Sequence, residues 1–341
     1  MPPRVFVTGC GMISSIGINF REMTQSVLSG KSGIGPISIL ESIHKVKLLA
    51  GEIKYSDEEL AQKADLDFID GLTRTTILGT IAAREALASA KLTNFNDMAL
   101  ISGTTVGGMS STEKYYTDFL SNDLRNAFIQ SHDCGDSTER MAHYTGINGY
   151  LATINTACSS AANAIMLGAR LIRNGKIERA VVGGVDALSK FTLNGFNTRM
   201  IVDPELCKPF DDSRNGLNLG EGAGYLVIES EKVLGKRIPL CEVKGFGNAN
   251  DAYHQTASSP DGRGPFLSMS KALEYGGLTP GDISYINAHG TATQNNDLSE
   301  GIAIERLFSK EMPYVSSTKS MTGHLLGASG AIEAGVSIIS I

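Results

Sequence analysis

Leu151-Ala152-Thr153-Ile154-Asn155-Thr156-Ala157-Cys158-Ser159-Ser160 decides the fold class of this 341-residue chain. Residues 151–156 form a short apolar strand, and 159–173 repeat apolar side chains at helical spacing. Asn174-Gly175, following Arg170 and Arg173, closes that helix, and 180–185 is the next strand. Strand and helix patterns alternate on both sides as well, with strands at 4–8 and 99–103 and a buried helix at 75–90. The stretch at about 110–145 is more polar and mostly helical, and reads as a cap over the sheet. Alternation of this kind predicts an α/β fold.

Val7-Thr8-Gly9-Cys10-Gly11 is echoed by Val243-Lys244-Gly245-Phe246-Gly247, each an apolar strand ending in Gly-x-Gly. The echo suggests two similar halves meeting near 231–239, an N-terminal unit 1–235 and a C-terminal unit 236–341. Residues 328–341 are apolar on nearly every side, which predicts a buried helix. With no cap, glycine or polar tail after it, this ending reads as a cut inside a domain.

Composition narrows the function classes. Lys and Arg number 30 against 36 Asp and Glu, with no basic stripe, which argues against a nucleic-acid partner. Glycine, at 38 residues, exceeds the usual share of about 7% and is spread in pairs and triplets, implying tight turns and close backbone approaches. Cys10, Cys134, Cys158, Cys207 and Cys241 are widely spaced and form no C-x-x-C pair, which points to a reducing compartment. The opening residues are already a strand rather than a signal peptide, and no apolar run reaches the ~18 residues of a membrane span. The expectation is a cytoplasmic protein with no membrane partner.

Cys158 stands where a strand meets a helix. A thiol there faces unpaired N–H groups and the positive end of the helix dipole, which favour thiolate. The same N–H groups could receive the oxyanion of an attacked thioester. A lone cysteine in an apolar setting reads equally as a structural thiol, so its partners decide. His289, in Asn287-Ala288-His289-Gly290-Thr291-Ala292-Thr293, ends a strand, and His324, in Ser317-Thr318-Lys319-Ser320-Met321-Thr322-Gly323-His324, lies just past another. Ligands in open α/β sheets collect at the carboxyl ends of strands, an address all three residues share. Two neutral imidazoles can each donate one N–H to a thioester carbonyl. Such donors favour loss of carbon dioxide from a malonyl-type thioester, whose oxygen becomes the enolate oxygen. Lys319 either adds positive charge near that oxygen, orients a histidine, or is a solvated side chain. Glu333 either neutralises Lys319 or pairs elsewhere.

The Thr-Ala-Cys-Ser-Ser around Cys158, the His-Gly-Thr-x-Thr from His289 and the Lys-x-x-x-Gly-His ending at His324 resemble the β-ketoacyl-[acyl-carrier-protein] synthases of the thiolase superfamily, of the synthase I/II type. The match is collinear over essentially the whole chain, through Gly30-Lys31-Ser32-Gly33-Ile34, Pro209-Phe210-Asp211, Gly220-Glu221-Gly222-Ala223-Gly224 and Asp251-Ala252-Tyr253-His254. The resemblance implies a five-layer αβαβα fold from two duplicated halves, a homodimer, no cofactor, and acyl and malonyl thioesters carried on an acyl carrier protein. Cys158 would take the acyl chain, and His289 and His324 would bind the extender thioester. Glu333, His254, Thr291 and Thr293 would support them, and Lys208 and Arg214 read as contacts for an acidic carrier protein. Two departures stand out. Asn215-Gly216 replaces a common Asp-Gly. The family's continuation past the helix at Glu333, including a Gly-Phe-Gly loop, has no counterpart, so the second half is expected to be truncated at its C-terminus and its activity impaired or lost.

Other readings fare worse. Gly9-Cys10-Gly11-Met12-Ile13-Ser14 lacks the third glycine and the later acidic residue of a dinucleotide fingerprint. His44, His132 and His143 show no metal-ligand spacing. A thiolase would need a late second cysteine, and none follows Cys241. A non-catalytic partner subunit would typically have lost the nucleophile.

Overall fold

The computed structural model describes residues 2–254 and 257–341. The main sheet contains β1 (Val5–Ser14), β2 (Ala99–Gly103), β3 (Leu151–Ile154), β4 (Arg179–Asp186), β5 (Gly222–Ser230) and β6 (Cys241–Glu242), in spatial order β3-β2-β4-β5-β1-β6. β2 runs parallel to β3 and β4, whereas β5 is antiparallel to both β4 and β1. β1, β2 and β5 are buried along their whole length and β4 nearly so, as expected of strands covered on both faces.

One face is covered by α1 (Arg74–Ser89), whose Ile77, Leu78, Ala82 and Ala86 join Val181, Val185, Ala223 and Tyr225 in one core. A cap of three helices, α2 (Met109–Phe119), α3 (Asn126–Gln130) and α4 (Cys134–Thr145), lies between β2 and β3 in the chain. The opposite face carries α5 (Ser160–Arg173), whose last turn holds Arg170 and Arg173 where the dipole favours cations. Farther along the chain come α6 (Arg263–Gly276), the parallel pair β7 (Tyr285–Asn287) and β8 (Tyr314–Ser316), α7 (Gln294–Phe308), the short α8 (Lys319–Thr322) and α9 (Ser329–Ile339). α9 packs beside α5, with Gly335 against Met12 of β1 and Ala331 against Gly224 of β5. Its Glu333 carbonyl accepts from Asn287 of β7 on the other side. Ile304 and Phe308 of α7, with Met269 of α6, cover Ile286 of β7. The layers therefore run helix, sheet, helices, sheet, helices.

The Gly-x-Gly echo has a physical basis. A Cβ on Gly9 would sit 2.2 Å from the Ala86 carbonyl oxygen, and one on Gly11 2.1 Å from that of Ala82, one turn earlier on α1. Gly245 and Gly247 meet Ala272 and Ser268 of α6 in the same way, each at 2.1 Å. Each half thus presses a helix backbone onto a glycine-lined segment, a strand in the first half and extended chain just after a strand in the second. The reading of Gly9-Cys10-Gly11 as the end of its strand needs correction, since β1 continues to Ser14. In the second half the ladder covers Cys241–Glu242 rather than 243–247. Among the described residues no helix is long and apolar enough to cross a membrane.

Candidate active site

The turn from β3 into α5 sets the thiol. Ala157 is forced into the left-handed region (φ 52°), which costs an L-residue about 1–2 kcal/mol. The turn is locked by Ser160, whose Oγ accepts from Thr156 N–H at 2.9 Å and donates to the Ala157 carbonyl at 2.6 Å. Cys158 is thereby held two residues before the first turn of α5. Burial pushes its thiol up to about 11, against the opposing pull of Lys319 and of its own backbone N–H. The expected thiolate-favouring environment is thus reversed. A helix terminus supplies about 0.3–1 kcal/mol, less than one pKa unit, whereas desolvation of a buried anion is worth several.

His324 is fixed through its backbone, donating N–H to the Asn218 carbonyl at 2.7 Å and accepting from Gly220 N–H at 3.0 Å. Its Nε2 lies 3.0 Å from Cys158 Sγ. Its Nδ1 accepts the Leu326 N–H at 3.2 Å, so the ring proton sits on Nε2 and points at the sulfur. His289 follows β7. Its N–H and that of Gly290 donate to the two oxygens of Glu300 at 2.7 and 2.8 Å. Its carbonyl accepts from Lys319 Nζ at 2.5 Å. The two rings meet edge to face, with centroids 5.2 Å apart. Burial, and then the Lys319 charge, hold both imidazoles well below the ordinary histidine value, so both are neutral.

Lys319 is buried at the head of α8, bonded to the Glu333 carboxylate as well as to His289. Its ammonium acts on the backbone of His289. Thr291 and Thr293 share a hydroxyl–hydroxyl contact of 2.9 Å, and Thr293 stands at the N-cap position of α7 without a capping bond from its side chain. His254 is exposed on the loop before α6, and Lys208 is exposed as well. Arg214 is half-buried and turned toward the backbones of Asp211 and Gln294.

Two acids, one half-buried and one fully buried, went unnoticed in the sequence. Glu300 is one. The other is Asp186, which accepts from Thr104 Oγ1 (2.7 Å), Thr105 N–H (2.9 Å) and Gly327 N–H (2.7 Å), tying the ends of β2 and β4 to the turn after His324. Asp186 directly follows the apolar strand expected at 180–185, and a charge closing a buried strand was a usable signal.

The donor atoms of Cys158, His289 and His324 lie within 4.8 Å of one another, a spacing that could surround a metal ion. The set does not fit that use. His324 presents an N–H rather than a lone pair, and the Lys319 charge acts on all three groups. What converges is a sulfur and neutral N–H donors, an arrangement suited to a thioester and its enolate.

Comparison with known proteins agrees. Residues 3–233 match the family described as "Beta-ketoacyl synthase, N-terminal domain", and residues 240–341 match "Beta-ketoacyl synthase, C-terminal domain". The 3-oxoacyl-[acyl-carrier-protein] synthase 2 of Staphylococcus aureus (strain N315) is 34% identical over 358 residues, covering 99% of this chain and 85% of its own length. The enzyme of the same name from Synechocystis is also 34% identical, with the same coverage. Among solved structures, the ishigamide ketosynthase/chain length factor superposes with a TM-score of 0.92 at 30% identity, covering 100% of this chain and 86% of that one. A ketosynthase in complex with its chain length factor from Xenorhabdus doucetiae gives 0.85 at 29% identity, covering 99% and 84%.

These matches correct one expectation. The second half was read as cut short, yet the C-terminal domain family matches it from 240 through 341. The apolar helix that prompted the reading is α9, which lies between the two sheets and contacts β1 and β5 on one side and β7 on the other. A helix buried on both sides is apolar all round, so its composition is no sign of a break.

Both family matches, with curated relatives aligned along nearly the whole chain, make this protein a condensing enzyme, an acyltransferase that joins acyl thioesters by decarboxylative carbon–carbon bond formation, and the chain belongs to the β-ketoacyl synthase family.

Proposed function

We propose that Cys158 carries the growing acyl chain and that His289 and His324 hold the extender, both substrates arriving on an acyl carrier protein. The observation that carries this reading is His324 Nε2–H aimed at Cys158 Sγ from 3.0 Å, with the His289 ring alongside. In the first step the Cys158 sulfur bonds to the acyl carbon, and the carrier thiol departs with a proton. In the second, the bond to the malonyl carboxylate breaks and carbon dioxide leaves. Its electron pair becomes an enolate whose oxygen takes the two N–H bonds. The enolate carbon then attacks the acyl carbon, the bond to sulfur breaks, and the departing thiolate takes up one proton from solvent.

Lys319, paired with Glu333, acts here as the orienter of His289. Lys208 is exposed and free to meet an acidic carrier from solvent, whereas Arg214 is engaged with the chain's own carbonyls. We assign the nucleophile to a unit spanning 1–235 and the histidines to a unit spanning 236–341. We further propose that two copies pair through β3, an edge strand whose first residue, Leu151, is exposed together with the preceding Tyr150. A reducing, cytoplasmic setting suits cysteines that all stay free.

Incubation with acyl- and malonyl-loaded carrier protein tests the reading. It expects acyl mass on the Cys158 peptide and a β-ketoacyl product; folded protein that takes no label there would overturn it.

A further inference from the structure

We infer that Arg74 is a positioning residue for His324, acting through the carboxylate of Glu221. The inference rests on the condensation proposed for this site.

Glu221 belongs to Gly220-Glu221-Gly222-Ala223-Gly224, a motif to which the proposed chemistry gives no part. His324 hangs by its backbone from the short strand Leu219–Gly220, through its bonds to the Asn218 carbonyl and the Gly220 N–H. That strand runs parallel to Leu49–Gly51, with Gly51 opposite Gly220. The two glycines form a shelf under the turn that leads into His324. A Cβ on either one would collide with the Thr322 carbonyl oxygen. With backbone lying directly on backbone, the turn follows the shelf.

One carboxylate holds that shelf. Glu221 is 1% exposed and takes four hydrogen bonds. Its Oε1 accepts from Ile53 N–H at 2.9 Å and from Arg74 Nη2 at 2.7 Å. Its Oε2 accepts from Leu188 N–H at 3.1 Å and from Arg74 Nε at 2.8 Å. Glu221 thereby ties the end of the shelf to the chain after Gly51 and to the chain just past β4. Arg74, the first residue of α1, is 6% exposed and uses all five of its N–H groups. Two go to Glu221, and the others to the carbonyls of Ile53 and Tyr55 and to Asp57 Oδ1. A planar guanidinium can grip both carboxylate oxygens at once, which an ammonium cannot. Cys158 and His289 stand on other elements, the turn into α5 and the loop after β7. The pair therefore positions one of the three reacting groups.

Arg74→Lys keeps the charge and breaks the fork. Label release from carboxyl-labelled malonyl carrier protein is timed in this variant, alone and combined with His324→Ala or with His289→Ala. Alone, kcat should fall about ten- to a hundredfold with KM nearly unchanged, as when a reacting group is misplaced by about 1 Å. In the His324→Ala background the further loss should shrink to within about twofold, because the ring being positioned is gone. In the His289→Ala background it should persist. A crystal structure of the variant should show the His324 ring displaced from the Cys158 sulfur by about 0.5 Å or more. Glu221→Gln, which retains the size of the side chain, repeats the test if Arg74→Lys does not fold. A full further loss in His324→Ala, or a folded variant whose ring stays 3.0 Å from the sulfur, would overturn the inference. Should wild type release no label, the proposed function fails, while the crystal structures still decide the role of Arg74.

Discussion

Lys319 Nζ lies 2.5 Å from the carbonyl oxygen of His289 and pairs on its other side with Glu333. One buried ammonium thus joins the heads of α8 and of the loop after β7 to the middle of α9. Removing one partner of a buried pair typically costs about 3–5 kcal/mol, because the other charge is left without compensation.

Lys319→Ala should therefore lower the melting temperature clearly and cut condensation by about a hundredfold. Adding Glu333→Ala should restore much of the melting temperature by removing the stranded carboxylate. It should not restore turnover, because the His289 carbonyl still lacks its donor. Thermal melts and condensation rates on the two variants check this, and joint recovery of both would count against the orienting role.

The thiol gives a second expectation. With Cys158 raised to about 11, alkylation by iodoacetamide should keep climbing with pH beyond the ordinary cysteine range and level off near that value. Below it the neutral thiol dominates, and above it the thiolate. Lys319 pulls the value down, so Lys319→Ala should move the inflection higher still. A plateau already complete at pH 9 would refute the dominance of burial.

A third concerns the imidazoles. Both are depressed from 6.5, so lowering the pH through that value should leave them neutral and leave malonyl decarboxylation unchanged. The acid limb should appear only well below it. His289→Ala and His324→Ala should each cost about 10²–10³ in rate, as loss of an oxyanion donor does. Decarboxylation measured across pH in a Cys158→Ala background checks both points.

Glu300 supplies a fourth. Its two oxygens take the N–H groups of His289 and Gly290, and Glu300→Gln keeps only one acceptor. An N–H left unpaired costs up to about 1–3 kcal/mol when buried, and these bonds are part-buried. The variant should melt a few degrees lower and lose kcat with little change in KM; unaltered kcat in a folded variant would remove Glu300 from the site's support.

The three convergent residues were legible because each sits in a short motif at the end of a strand, and the topology of α/β sheets says where strand ends meet. Glu300 was not, and Asp186 showed only as a charge closing an apolar strand. Both act chiefly on backbone N–H groups, contacts that leave no spacing pattern in the chain. Gly9 and Gly11 were misread because glycine serves both turns and close approaches, and only the α1 backbone, 2.1–2.2 Å from the missing Cβ atoms, shows which. The thiol was misjudged in sign because a helix terminus can be seen in sequence, whereas the depth of burial cannot. α9 misled for a related reason, since a helix wedged between two sheets shows the same composition as an interrupted core.

The most direct test follows carbon dioxide. Carboxyl-labelled malonyl carrier protein is supplied to Cys158→Ala, and release of label is timed with and without His289→Ala and His324→Ala. Release should persist without the sulfur and fall by about 10²-fold or more when the imidazoles are removed. Release that is indifferent to both rings would contradict the account at its centre.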